Sequence, residues 1–281
     1  MKRVASGILG MAVVFGTLYL GARFDVRWIA GGLILAVAWP CAVEYLQLMA
    51  KLGIPLAAPE FLVWIPALTL SVLVAGGRYA EVALLVAMAY QVLRYLGVQP
   101  HRTGFLQAVA GMFGLLYIPW LLHYFYLIYQ GGIGQAPHVG VVHAAVVLLT
   151  VWGYDSGAFF IGSALGKHKA FPTVSPGKTW EGVAGGVAFA LVGACVGASL
   201  SPVWREFAFG KGFPHLLVSS LLVSAAAQLG DVFESKLKRA VDVKDSGAFL
   251  PGHGGALDRL DGLLFALPVF YFYYHYVVRF F

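Results

Sequence analysis

The chain has 281 residues, 60% of them hydrophobic and only 11% charged, with a mean hydropathy of +0.80. Soluble domains carry about 25% charge, so this composition excludes an ordinary soluble enzyme and a disordered tail. The net charge of +6 arises from 19 basic against 13 acidic residues, and the bases lie too thinly between apolar runs to form a nucleic-acid surface.

A membrane helix needs about 20 mostly apolar residues. Nine segments qualify in chain order: 5–22, 28–50, 54–76, 80–98, 104–130, 138–165, 182–203, 214–233 and 256–280. The first follows Met1-Lys2-Arg3. Its apolar run is long for a signal peptide and no small-x-small pattern precedes Arg23, so it reads as a retained helix. Gly76, Gly77 and Arg78 leave little room for a loop between the third and fourth segments.

Basic residues collect on the cytoplasmic side of membrane proteins. With the N-terminus placed there, thirteen of the 19 Lys and Arg fall on the cytoplasmic face. Six fall opposite: Arg23, Arg27, Arg78, Arg205, Lys211 and Arg279. The expected fold is therefore an all-α, polytopic integral membrane protein of about nine spans, with the C-terminus outside. Two polar loops, 166–181 and 234–255, share the cytoplasmic side. Residues 1–134 hold only four acids, Asp25, Glu44, Glu60 and Glu81. They read as a scaffold of about five helices. Residues 135–281 hold the other nine acids and read as a catalytic region of about four helices. Cys41 and Cys195 sit in apolar runs without metal spacing and read as small buried hydrophobes.

Ionisable residues in or beside a span are costly and default to function. Asp155 lies within an apolar run, Asp231 closes another, and Asp258 and Asp261 open the last segment. Asp258 and Asp261 are three apart and share a helix face. Asp231, Asp258 and Asp261 are thus expected to converge at the membrane surface. Clustered carboxylates repel without a cation, and hard oxygen donors suit Mg²⁺, which takes one or two carboxylates plus substrate phosphates. Zinc fits poorly, because His101, His168 and His253 have no paired-histidine spacing.

Lys236, Lys238, Arg239 and Lys244 stand in the second loop, where they can receive phosphate charge. Gly252, Gly254 and Gly255 surround His253 just before a helix start, an arrangement that lets backbone N–H groups approach an anion. The first loop reads Ser175-Pro176-Gly177-Lys178-Thr179. A Walker A motif would need glycine where Pro172 stands, so it is no P-loop. A turn presenting Lys178 and Thr179 to phosphate and a plain helix cap both remain open. Glu44, near the cytoplasmic end of the second span, either pairs with a basic loop or faces headgroups. Aromatics such as Tyr271, Phe272, Tyr273, Tyr274 and Tyr276 read as lipid-facing or interfacial.

The stretch 235–261 resembles the signature of the phosphatidate cytidylyltransferases, also called CDP-diacylglycerol synthases. The resemblance rests on Ser235, Leu237, Lys238, Arg239, Lys244, Asp245, Gly247, Leu250, Pro251, His253, Gly254, Gly255, Asp258, Arg259, Leu260 and Asp261. Ala256 departs, standing where a larger apolar residue is usual. Residues Ser175–Gly182, Asp155–Ala158 and Asp231–Ser235 are also similar to family segments. Strong likeness covers about 150–265. Before that it rests on hydropathy and Glu44.

The resemblance implies a Mg²⁺-dependent inner-membrane enzyme facing the cytoplasm, converting CTP and phosphatidic acid to CDP-diacylglycerol and pyrophosphate. It implies that Asp231 and Asp258 bind the metal, with Asp261 a further ligand or a residue that positions the metal site, and leaves room for a second cation. Lys238, Arg239 and Lys244 are assigned to phosphates, with Ser175, Lys178 and Thr179 as a second clamp. His253 either contacts the triphosphate or shuttles a proton. Ser235, Asp245, Gly254, Gly255, Arg259 and Asp155 are carried over as further substrate contacts. Expected partners are CTP, phosphatidic acid and membrane lipids, without nucleic acid. The oligomeric state stays open, a homodimer included. The nearest alternative is a CTP-dependent lipid-alcohol kinase acting on a polyprenol, which would need a base for its hydroxyl. A transporter should show inverted repeats or broken helices, and neither is evident.

Overall fold

A computed structural model describes residues 13–21, 23–24, 28–131, 139–247 and 254–279. His253, with Leu250, Pro251 and Gly252, lies outside the described residues, as does much of the first expected span.

The protein is a membrane-type helical assembly. After helical residues 13–21 come α1 (Trp28–Lys51), α2 (Ala58–Leu73), α3 (Ala80–Tyr95) and α4 (His101–Leu115). A π turn, Leu116–Trp120, joins α4 to α5 (Leu121–Gln130). Pro119 lies inside that turn, and its missing N–H removes one bond from the helical ladder. Then follow α6 (Val139–Leu165), strands β1 (Lys169–Phe171) and β2 (Ser175–Thr179), α7 (Trp180–Ser199), α8 (Pro202–Phe209), α9 (Phe213–Arg239) and α10 (Leu257–Phe272).

Among the described residues, five helices are long and apolar enough to cross a bilayer: Trp28–Lys51, His101–Gln130, Val139–Leu165, Trp180–Ser199 and Phe213–Arg239. The expected third and fourth spans appear as α2 and α3, of 16 residues each, and the last as α10 continued by a π-helical stretch, Tyr273–Val278. Two departures shape the site. The first polar loop contains an antiparallel hairpin, with Lys169 opposite Thr179 and Phe171 opposite Ser175. The second polar segment begins as helix: α9 continues to Arg239, so Ser235, Lys236, Lys238 and Arg239 are helical and not in a loop.

The chain divides into two compact units. The first takes the described residues up to Gly21, those of 26–126, and the segment Leu237–Arg259. Within this unit Tyr45 is buried and its hydroxyl donates to the Ala110 carbonyl at 2.7 Å. A Cβ on Gly114 would lie 2.4 Å from the Tyr45 ring, so α1 and α4 meet where only glycine fits. Glu60 accepts from Tyr90 Oη at 2.8 Å and Arg94 Nε at 2.6 Å, tying the start of α2 to the end of α3.

The second unit is built on α6 and α7. Their backbones touch: a Cβ on Gly193 would lie 2.0 Å from the Leu149 carbonyl oxygen. Small residues permit such close packing where lipid supplies no hydrophobic drive between helices. Trp204 of the short α8 is fully buried against the rings of His143 and Tyr274. Thr179 caps α7, its hydroxyl accepting from Gly182 N at 3.2 Å. The hairpin thus ends in a helix cap, which orients the residue just before it, Lys178.

Candidate active site

In the second unit the polar residues gather around Asp231. Lys178 Nζ lies 2.5 Å from Asp231 Oδ2, with side-chain exposures of 19% and 37% respectively. Ser235, one turn along α9, donates its hydroxyl to Asp231 Oδ1 at 3.3 Å. One turn the other way, Gln228 accepts a hydrogen bond from the buried Tyr154 hydroxyl. The Asp261 carbonyl packs directly on Gly230, where a Cβ would be 2.2 Å away. Asp231 and Asp261 therefore come from touching segments of α9 and α10. The Asp261 carboxylate accepts from the Gly262 N–H at 2.7 Å. Asp155 is exposed on α6. Ser175 opens β2 and is half-buried. Thr179 is buried and serves as the cap of α7. Glu181 accepts from the backbone N–H of Lys167 and pairs with His168 Nδ1 at 2.5 Å, closing the base of the hairpin.

In the first unit the centre is Asp258. Lys238 Nζ lies 2.5 Å from its Oδ1, and the two side chains are only 12% and 10% exposed. Its Oδ2 accepts from Ser246 N at 3.0 Å and Gly255 N at 2.8 Å. Gly254, at φ +83°, occupies a backbone region that L side chains rarely adopt, and a Cβ there would meet Asp258 Oδ2 at 2.9 Å. The glycines were expected to leave amides for a phosphate. Gly255 instead directs its amide to the protein's own carboxylate. Arg239 is exposed and donates from Nη1 to the Val243 carbonyl at 3.1 Å. Lys244, Asp245 and Arg259 are exposed.

Glu44 is the residue whose part the sequence did not reveal. Of the two readings it follows the first, pairing with the second polar segment, though through a hydroxyl and backbone amides. It is 5% exposed. Its carboxylate accepts from Ser246 Oγ at 2.8 Å, Ala256 N at 2.8 Å and Leu257 N at 2.9 Å. Leu257 opens α10, so Glu44 places an anion at a helix N-terminus, where unsatisfied N–H groups and the helix dipole favour it. The available signal was an acid inside a 24-residue apolar helix.

Each of the two principal acids carries its own lysine. Among the described residues, no group of three or more His, Cys, Asp or Glu side chains is assembled to hold a metal ion. The donor chemistry still fits Mg²⁺, which keeps waters and needs only one or two protein carboxylates. Both oxygens of each acid are engaged within the protein, but Asp231 is the more open, with a side chain 37% exposed against 10% for Asp258.

Long apolar helices carrying two separate lysine–carboxylate pairs place the chain in the class of helical membrane proteins. The particular kind is narrower. The chain matches the cytidylyltransferase family over residues 1–277, and it belongs to that family. It is 39% identical over 190 residues to the phosphatidate cytidylyltransferase of Bacillus subtilis (strain 168), covering 68% of this chain and 65% of that protein. It is 42% identical over 142 residues to the phosphatidate cytidylyltransferase of Haemophilus influenzae, covering 50% of this chain and 49% of that one. The corresponding protein of Staphylococcus aureus (strain COL) is 36% identical over 185 residues, with 66% of each chain covered. The chain thus spans about half to two thirds of the length of these curated relatives.

Proposed function

We propose that the protein is a phosphatidate cytidylyltransferase, joining CTP and phosphatidic acid to give CDP-diacylglycerol and pyrophosphate in phospholipid biosynthesis. Family membership and the names of its relatives support the chemistry. The structural observation that carries the reading is the Lys178–Asp231–Ser235 cluster, a cation and a carboxylate held on rigid elements.

Phosphate monoesters have a second pKa near ~6, so phosphatidate is already a nucleophile at neutral pH. No strong general base is needed. The obstacle is the meeting of two polyanions, so the site must neutralise charge, align the attack on the α-phosphorus and stabilise departing pyrophosphate. In this reading Lys178 and Lys238 swing part of their charge from the carboxylates to substrate phosphates. Arg239, the last residue of α9, and Lys244 beyond it, both exposed, receive the triphosphate. Mg²⁺, held by Asp231 with Asp261, would supply charge neutralisation on the phosphate oxygens. The site faces the cytoplasm at the inner membrane, so that CTP arrives from water while the acyl chains stay in the leaflet.

The test is an assay of the purified protein in detergent with phosphatidic acid, Mg²⁺ and CTP labelled in the cytidine. The expected result is label in the lipid phase with release of pyrophosphate, abolished by EDTA and restored by added Mg²⁺. Label confined to water-soluble nucleotide refutes the reading. In a parallel assay with a polyprenol and γ-labelled CTP, transfer of the γ-phosphate to the lipid with release of CDP would replace it with the lipid-alcohol kinase.

A further inference from the structure

We propose that Glu44 is a positioning residue for Asp258 and, through it, for Lys238. This rests on the reading above, in which those two side chains are part of the reaction machinery.

The argument begins with the donors. Both oxygens of Glu44 are occupied: Oε1 by Ala256 N, and Oε2 by Leu257 N and Ser246 Oγ. Asp258 takes the neighbouring donors, Ser246 N and Gly255 N. Ser246 therefore gives its hydroxyl to one carboxylate and its amide to the other. Three consecutive amides, at Gly255, Ala256 and Leu257, are likewise divided between Asp258 and Glu44. One acid on an N-terminal helix thus ties both ends of the 246–257 segment and places the first turn of α10.

The fit is tight. A Cβ on Gly247 would lie 2.4 Å from Glu44 Oε1, and one on Gly255 would lie 2.4 Å from Oε2 and 2.1 Å from Ser246 Oγ. The glycines admit the carboxylate to the backbone. A neutral amide cannot replace it. In a glutamine the NH₂ group would have to face either the Ala256 N–H or the Leu257 N–H, donor against donor in a buried place. The charge also complements the N-terminus of α10. Because Asp258 is the residue after Leu257, a shift of that first turn moves its carboxylate and the lysine ion-paired to it.

The experiment uses the full chain purified in detergent, as wild type and as Glu44→Gln, Ser246→Ala and Tyr45→Phe. Tyr45→Phe is the control: it removes the neighbouring Tyr45–Ala110 bond of the same helix and touches no part of the site. Glu44→Gln is expected to lower kcat for CDP-diacylglycerol formation by about 30-fold or more with KM for CTP within about threefold, the pattern of an interaction needed in the transition state. Tyr45→Phe should keep kcat within about twofold while lowering Tm. Amide hydrogen exchange at 254–259 should quicken by about tenfold or more in Glu44→Gln relative to wild type.

Wild-type kcat in Glu44→Gln overturns the proposal, and so does an equal loss of kcat in Tyr45→Phe, which would mark general damage to packing. If Glu44→Gln does not fold, Ser246→Ala decides: a fall in kcat of about threefold or more at unchanged KM supports positioning, and an unchanged kcat overturns it. If the wild type forms no CDP-diacylglycerol, the functional reading fails by itself. Exchange then tests Glu44 alone: faster exchange at 254–259 in the variant supports its hold on α10, and unaltered exchange refutes it.

Discussion

Lys178 Nζ meets Asp231 Oδ2 at 2.5 Å, joining the strand β2 to the middle of α9's polar end. The contact depends on the hairpin. Pairing of β2 with β1 extends the backbone, and the Thr179 cap anchors its end to α7. Lys178 is thus held by a short hydrogen-bonded element, as its proposed role on a substrate phosphate would require.

Asp231→Asn and Asp258→Asn should behave differently. Asp231 is over a third exposed, so losing its charge should cost at most about 1 kcal/mol of stability. Turnover should fall about 100-fold or more, as when one electrostatic contact to the reacting group is removed. Asp258 is buried with both oxygens engaged, and its substitution should lower stability by about 3 kcal/mol as well as abolish turnover. Thermal melts in detergent beside kcat would separate the two.

Lys238 and Asp258 should couple. Replacing Lys238 with Ala leaves a buried carboxylate with two amide donors and no ammonium. The double variant should be less unstable than the sum of the single ones, with a coupling of about 1–3 kcal/mol. A double-mutant cycle by chemical denaturation checks this, and additivity would show that the pair is energetically idle.

Two glycine substitutions make a matched pair. Gly255→Ala puts a methyl into Ser246 Oγ and the Glu44 carboxylate, whereas nothing lies within 4 Å of a Cβ on Gly177. Gly255→Ala should cost about 2 kcal/mol or more, while Gly177→Ala should stay within about 0.5 kcal/mol. Expression level and Tm of the two variants read the difference.

Tyr154→Phe removes the hydroxyl that binds Gln228, one turn from Asp231. The expected loss is about 1 kcal/mol, the net worth of a buried hydrogen bond. Turnover should change little if Tyr154 only fastens α6 to α9. A fall in kcat at constant Tm would instead give the Tyr154–Gln228 pair a part in aligning Asp231.

Much of the chain could be read without its fold. Helix α6 appeared within a residue of its expected place, because a mostly apolar stretch of 27 residues allows little else. The residues that the fold pairs, Lys178 with Asp231 and Lys238 with Asp258, stood out because charges are scarce in this sequence and costly in a membrane. Where the reading missed, the cause was local. Ser235 and Lys238 were placed in a loop because α9 turns polar before it ends, and hydropathy marks the edge of the apolar region, not the last helical hydrogen bond. The hairpin at 169–179 was too short and too polar to register against the long apolar runs.

The sequence by itself determined the membrane-helix class, the segments involved and the kind of chemistry its charges can do, since these follow from transfer cost and residue type along the chain. Only the tertiary structure decided the partners. Glu44 is 212 residues from Ala256, and Lys178 is over fifty residues from Asp231. No periodicity or spacing encodes which buried carboxylate takes which distant lysine or amide. That choice is made when the helices pack, because a buried polar group must be satisfied by whatever donors the fold brings within about 3 Å.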